Sequence, residues 1–160
     1  MSRRDHPIHG RPGHLIRRLQ QIAVAIFMSE TEGFNITPVQ YSALLAIEMH
    51  PGLDQATLAN IIAFDRTTIG KVVSRLEGKK WIKRVSSADD RRSKCLTITP
   101  SGRTVLRAMD DAVNRSQESI LSPLKPAERQ VFVGMLERLV KLNNSRSRAP
   151  LAAPTAPGEY

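Results

Sequence analysis

The sequence predicts a mainly α-helical fold that carries a single small β-hairpin. Three observations lead there. Apolar residues recur at spacings of three and four in six segments. Two of these segments are short, capped and tightly linked, the second of them basic, which is the helix-turn-helix pattern. Two stretches that alternate or favour β-branched residues then flank a polar, highly charged loop.

Residues 14–28 read as the first helix. Leu15, Ile16, Leu19, Ile22, Ala23, Ile26 and Phe27 share one face, while Arg17, Arg18, Gln20 and Gln21 lie off it. Pro12-Gly13 is a natural start and Gly33 a natural stop. Thr37 is placed to cap a second helix with Pro38 at its first position. That helix runs through Tyr41, Leu44, Leu45 and Ile47 and ends before Pro51-Gly52. Asp54 caps a short third helix with Leu58, Ala59, Ile61 and Ile62. Asp65 caps a fourth, residues 66–80, whose buried stripe is Ile69, Val72, Val73 and Leu76.

The hairpin pairs residues 81–85 with 95–98 across the tip 86–93. An isolated hairpin is marginal in water, so it must lean on the helices before it. Pro100-Ser101-Gly102 opens a fifth helix carrying Val105, Leu106, Met109, Val113 and Ile120. Pro123 and Pro126 interrupt the chain before a sixth, residues 127–143. Its apolar face (Val131, Phe132, Met135, Leu136, Leu139, Val140, Leu142) is wider than one neighbour needs. Beyond Ser145 the composition of Ser, Arg, Ala and Pro is that of a disordered tail.

Composition narrows the function classes. Over 160 residues, 41% hydrophobic content is enough for a proper core, while 4% aromatic content argues against a surface for stacking single-stranded bases. A formal charge of +9 favours polyanionic partners, nucleic acid before membrane. Residues 62–103 hold eleven Lys/Arg against four acids, and residues 28–61 hold no Lys or Arg at all. The charge is therefore one basic module, not a mixed solvated surface. The single cysteine, Cys95, excludes an internal disulfide and a Cys-rich metal site. No apolar run approaches the roughly 20 residues that span a bilayer, and residues 1–12 lack the apolar core of a secretory signal. The expectation is a cytoplasmic protein without a membrane partner.

A helix-turn-helix followed by a basic hairpin has a physical logic on duplex DNA. The second helix fits the major groove, so its outward residues can meet base edges. Here these are Arg66, Thr67, Thr68, Gly70, Lys71, Ser74 and Arg75. Arg66 and Lys71 can donate to guanine; Thr67 and Thr68 can touch a thymine methyl or a phosphate; Gly70 permits close approach. Arg75, Lys79 and Lys80, further along, suit phosphates. The tip, with Asp89, Asp90, Arg91, Arg92 and Lys94, can reach an adjacent minor groove.

These residues resemble a known family. Thr37-Pro38-Val39-Gln40-Tyr41, Leu58-Ala59, residues 67–76, Asp89-Asp90-Arg91-Arg92 and Leu96-Thr97-Ile98-Thr99-Pro100-Ser101-Gly102 together look like MarR-type regulators. The resemblance implies a winged helix-turn-helix on a helical dimer body. It divides the chain into an N-terminal arm (1–13), a dimerisation region (14–36 and 100–143), a DNA-binding lobe (37–99) and a disordered tail (144–160). It also implies a homodimer on a palindromic double-stranded operator, most often as a repressor. In one respect the chain departs: where the family often has Arg-Gly before the wing, Lys80-Trp81-Ile82 stands here, without the glycine. Trp81 is expected to pack where the wing meets the recognition helix.

Small aromatic acids commonly bind such regulators between dimer body and DNA lobe, and a buried carboxylate there needs cations or several donors. His14, Arg17, Arg18 and Gln21 on the first helix, with Tyr41 and His50 on the second, are the candidates. Residues 10–18 resemble repressors of aromatic-acid breakdown, including those for nicotinate and its hydroxylated derivatives. Two other readings stand beside this one: a redox sensor acting through Cys95, with Arg92 and Lys94 near in sequence, and a nucleoid-type protein without sequence preference. No nucleophile–base pair, Gly-rich phosphate loop or metal-ligand spacing is present, so neither an enzyme nor a cofactor is expected.

Overall fold

The computed structural model describes residues 8–86 and 94–152. Among them lie α1 (Pro12–Glu30), α2 (Pro38–Met49), α3 (Gln55–Ile61), α4 (Arg66–Gly78), β1 (Ile82–Ser86), β2 (Lys94–Ile98), α5 (Pro100–Leu121) and α6 (Pro126–Asn143). Single 3-10 turns follow α1 and α6, at Glu32–Phe34 and Asn144–Arg146. The expected helices and antiparallel hairpin are all present.

The helix starts are dictated locally. Proline occupies the first turn of α1, α2, α5 and α6, where its missing N–H costs nothing and its φ is already helical. That is why α1 and α6 begin at Pro12 and Pro126, slightly ahead of the periodic residues. Thr37 and Gln40 form a reciprocal capping box, each side chain accepting the other's N–H at 3.4 and 3.2 Å. The Asp54 carboxylate accepts the Thr57 N–H at 2.7 Å and opens α3.

Ile36, Leu44, Ile47, Leu58, Ile69, Leu76, Ile82, Leu96 and Met109 are fully buried together. Helix α2 is central, touching α3, α4, β2 and α5. The hairpin registers Ile82 opposite Ile98 and Arg84 opposite Leu96, and Ile82, Leu96 and Ile98 turn inward. It leans on the α2–α3 loop as well, through Leu96 N–H to Leu53 C=O at 2.8 Å and Gly52 N–H to Leu96 C=O at 3.2 Å. Gly52 reaches this position with φ +86°, a conformation natural only to glycine.

Helix α4 ends at Gly78, two residues before the expected Lys80. The Trp81 N–H bonds to Leu76 C=O at 3.1 Å and the Lys80 N–H to Glu77 C=O at 2.8 Å, a Schellman ending. Its left-handed residue is Lys80, at φ +60°. This is the turn at which the chain lacks the family's glycine, and a lysine bears the strain. Trp81 packs half-buried on the core, as expected, with the Lys79 ammonium 4.4 Å from its ring centre.

The same turn meets the start of α5. Thr99 Oγ1 donates to the Lys80 carbonyl at 2.7 Å and accepts the Gly102 N–H at 3.1 Å, while the Thr99 N–H donates to the Trp81 carbonyl at 2.9 Å. A β-carbon on Gly102 would run into that Trp81 carbonyl oxygen and come within 2.8 Å of Ile98 Cγ1.

Helix α1 packs along α5, joined by Arg115 to Glu30 at 3.0 Å, and α5 holds α2 by Arg103 to Glu48 at 3.1 Å. Helix α6 buries no residue; Val131, Met135, Leu139, Val140 and Leu142 are all more than half exposed. Leu15 and Ile16 of α1 are similarly open. After α6 the chain differs from the expected disordered tail as far as residue 152. Asn144 Nδ2 donates to Leu151 C=O at 2.9 Å, Leu151 N–H returns to Asn144 Oδ1 at 2.8 Å, and Ala152 N–H reaches Asn60 C=O of α3 at 3.2 Å.

Two substitutions test the α4–α5 junction. Gly102→Ala should lower stability by about 1–3 kcal/mol through overpacking, read as a lower Tm. Lys80→Gly should raise it by about 1 kcal/mol by relieving the left-handed lysine.

Candidate nucleic-acid interface and ligand cleft

Helix α4 stands on the core by Ile69, Val72, Val73 and Leu76, all buried. Thr67, Lys71, Ser74 and Arg75 are exposed and fall within about 100° of arc on the opposite face. Arg66 is exposed at the helix start, to one flank. This face is polar, cationic and free of acidic groups, so it can donate hydrogen bonds to a polyanion along about 12 Å of helix.

Thr68 has another task. The Thr68 hydroxyl donates to Asp65 Oδ2 at 2.6 Å and its N–H to Oδ1 at 2.9 Å, so the side chain completes the helix cap. The Thr68 hydroxyl, with its N–H next, holds the Asp65 carboxyl below the usual carboxylate range. Gly70 faces α3: a β-carbon there would lie 3.4 Å from Gln55 Nε2. That is ordinary contact with the end of a flexible side chain, so the helix packing does not require glycine here. Lys79 is likewise structural, its ammonium donating to the Asn35 carbonyl and lying over Trp81. Burial pushes its pKa down.

On the wing, Lys83 and Arg84 of β1 are exposed. Arg84 pairs with Glu77 at 3.0 Å, tying the strand to α4. Lys94 is exposed and donates to Ser86 Oγ at 2.9 Å, closing the end of the paired strands. Asp89, Asp90, Arg91 and Arg92 lie outside the described residues. Cys95 is half-buried in β2 opposite Val85, its backbone bridged to Asp54. Among the described residues no group of His, Cys, Asp and Glu could hold a metal ion, and no helix is long and apolar enough to cross a membrane.

His14, Arg17, Arg18 and Gln21 come together at the start of α1. Gln21 Oε1 accepts from Arg17 at 3.1 Å and from Arg18 at 3.2 Å. Two neighbouring guanidiniums, set about 100° apart by the helix, therefore converge on one acceptor. His9, His14, Leu15 and Arg18 line an open cleft of about 560 Å³, and the His9 and His14 rings meet edge to face at 5.2 Å. His9 and Leu15 are lining residues that sequence reasoning missed. Only the five-residue spacing from His9 to His14 hinted at the first, and Leu15 read as part of the apolar stripe.

Tyr41 and His50 do not join this cluster. Tyr41 packs beside Phe27, ring centres 5.8 Å apart, and burial, with the Asp110 charge second, raises its phenol pKa. His50 is the half-buried C-cap of α2, about 13 Å from Tyr41 along the helix axis. Within one chain the expected ligand residues thus form one cluster and two separate positions.

Comparison with known proteins identifies relatives of the sequence and of the fold. The MarR family model matches residues 34–93. A regulatory protein of Thauera aromatica, named for transcription of the hcr operon, is 39% identical over 82% of this chain and 80% of its own length. Among solved structures, PcaV of Streptomyces coelicolor, in complex with its natural ligand, superposes with a TM-score of 0.77 at 33% identity, covering 88% of this chain and 98% of that one. BpsR of Bordetella bronchiseptica, whose DNA binding is regulated by 6-hydroxynicotinic acid, gives 0.78 at 28% identity, over 84% and 96% of the two chains.

The Asp65 cap is testable by pH. Asp65→Ala should lower Tm at neutral pH. The gap to the unaltered chain should narrow in acid: the carboxylate's stabilisation is complete above its unfolded pKa of about 4 and is lost as pH falls through the lower folded value. A gap unchanged down to about pH 2 would contradict the capping role.

Proposed function

The chain belongs to the MarR family of transcriptional regulators, and from that premise we propose that it is a homodimeric repressor, released from its operator by a small aromatic acid. The observation that carries the DNA reading is the α4 face of Thr67, Lys71, Ser74 and Arg75, opposite a buried stripe and capped at Asp65. A helix in the major groove with this face outward places Lys71 and Arg75 to donate to guanine edges or flanking phosphates. Arg66 flanks the contact. Arg91 and Arg92 of the wing tip would enter the neighbouring minor groove, with Lys94 on the adjoining strand.

Two copies joined through the open faces of α1 and α6 would bury the apolar residues that one chain leaves uncovered. Recognition helices set one helical turn apart, about 34 Å, then read a two-fold operator. The effector reading rests on two observations: Arg17 and Arg18 converge on the Gln21 oxygen, and Arg18 also lines an open cleft with His14. A carboxylate can replace the Gln21 oxygen as their acceptor, gaining charge-assisted hydrogen bonds. BpsR, whose DNA binding is regulated by 6-hydroxynicotinic acid, supports the same chemistry.

Release follows if the acid favours a dimer geometry with the wrong helix spacing. Each 1.4 kcal/mol or so of differential affinity shifts the populations about tenfold. Helix α5 links the two regions, since it carries α1 on its flank and is locked to the wing at Thr99 and Gly102.

Gel-shift titration on the duplex upstream of the protein's own gene, at fixed salt and against random duplex, checks the DNA reading. Lys71→Ala should cost about 1–3 kcal/mol of selective binding, and equal binding to both duplexes would favour the packaging alternative. In the same assay 6-hydroxynicotinate or a related aromatic acid should release the operator. Replacing Arg17 and Arg18 by alanine should abolish that response.

A further inference from the structure

The segment 144–152 is folded into a strap and fastened to α3. Asn144 clips Leu151 by a pair of hydrogen bonds, Ser147 Oγ accepts the Ala149 N–H at 3.2 Å, and Ala152 bonds to the Asn60 carbonyl. Between the clip points stand Arg146 and Arg148, both exposed and neither in an ion pair among the described residues. Helix α3 is the first helix of the helix-turn-helix, the one that crosses the phosphate backbone in that geometry. Yet it has no cation of its own, and none occurs anywhere in residues 28–61.

We propose that the strap is a second DNA-contacting element, which places Arg146 and Arg148 beside α3 to bind phosphates that α3 cannot. The inference rests on the DNA reading above and adds a site to it. These arginines position the protein and carry no sequence information; they act through counterion release.

The test is the salt dependence of binding, by fluorescence anisotropy, on the upstream duplex and on a random duplex. Removing one phosphate-binding cation should lower the slope of log affinity against log salt by roughly 0.9, so a dimer deprived of four should show a slope lower by about 3.6. That is the expected result for Arg146→Gln combined with Arg148→Gln, on both duplexes. Asn144→Ala opens the clip and Ala152→Pro deletes the N–H that reaches Asn60, neither changing the charge; both should also lower the slope. A slope unchanged in the arginine variant overturns the proposal. So does a slope lowered by the arginine variant but untouched by the other two, which would make the arginines unplaced charge. Unaltered protein that binds both duplexes equally defeats the operator reading and leaves the strap result legible. Protein that binds neither defeats both.

Discussion

The carbonyl of Trp81 occupies the place where a side chain on residue 102 would begin. That one contact sets the geometry of everything on either side of it. The recognition helix has just ended at Gly78, the wing starts at Ile82, and the long α5 helix departs from Pro100. Because residue 102 is glycine, the three can meet within hydrogen-bonding distance. Thr99 uses the opportunity fully: its hydroxyl serves the Lys80 carbonyl and the α5 cap, and its N–H serves Trp81. Ser101 adds another bond to the Lys80 carbonyl at 2.9 Å. A junction so saturated has little freedom to hinge, so lobe and α5 move together.

The fold was legible wherever local chemistry decides structure. Capping by Thr37, Asp54 and Asp65, and proline at the starts of α2 and α5, mark boundaries with a mechanism that tertiary packing does not override. The periodic stripe of α4 was readable for the same reason. The outward residues were harder, because pattern tells only that a residue is not in the core. It does not distinguish an outward face from a flank against another helix. Thr68 and Gly70 fell on that distinction: the first bonds its own cap, the second faces Gln55. Lys79 failed differently. Its long stem lets a residue in a basic run fold back on Asn35 and Trp81, and no spacing rule foretells that.

The cluster at the start of α1 shows what single-helix reasoning can and cannot reach. His14, Arg17, Arg18 and Gln21 are three and four residues apart in the main, so helical geometry alone gathers them. Tyr41 and His50 belong to another helix, and where they lie depends on how α1 crosses α2. The two helices meet where Phe27 packs against Tyr41, a contact that periodicity does not encode. The strap at 144–152 was invisible for a related reason: its composition is that of an unstructured tail, and only asparagine-to-backbone bonding and one hydrogen bond to α3 give it form.

The clean division of α4 between a buried stripe and an outward polar face has an evolutionary consequence. The residues that pack the core and those that face outward occupy different positions along it. Substitutions at Thr67, Lys71, Ser74 and Arg75 therefore leave the core packing intact, and their effects on folding stay small. A lineage can redraw which sequence it reads without first acquiring compensating changes in its interior. Diversification of targets and preservation of the scaffold then proceed as independent processes.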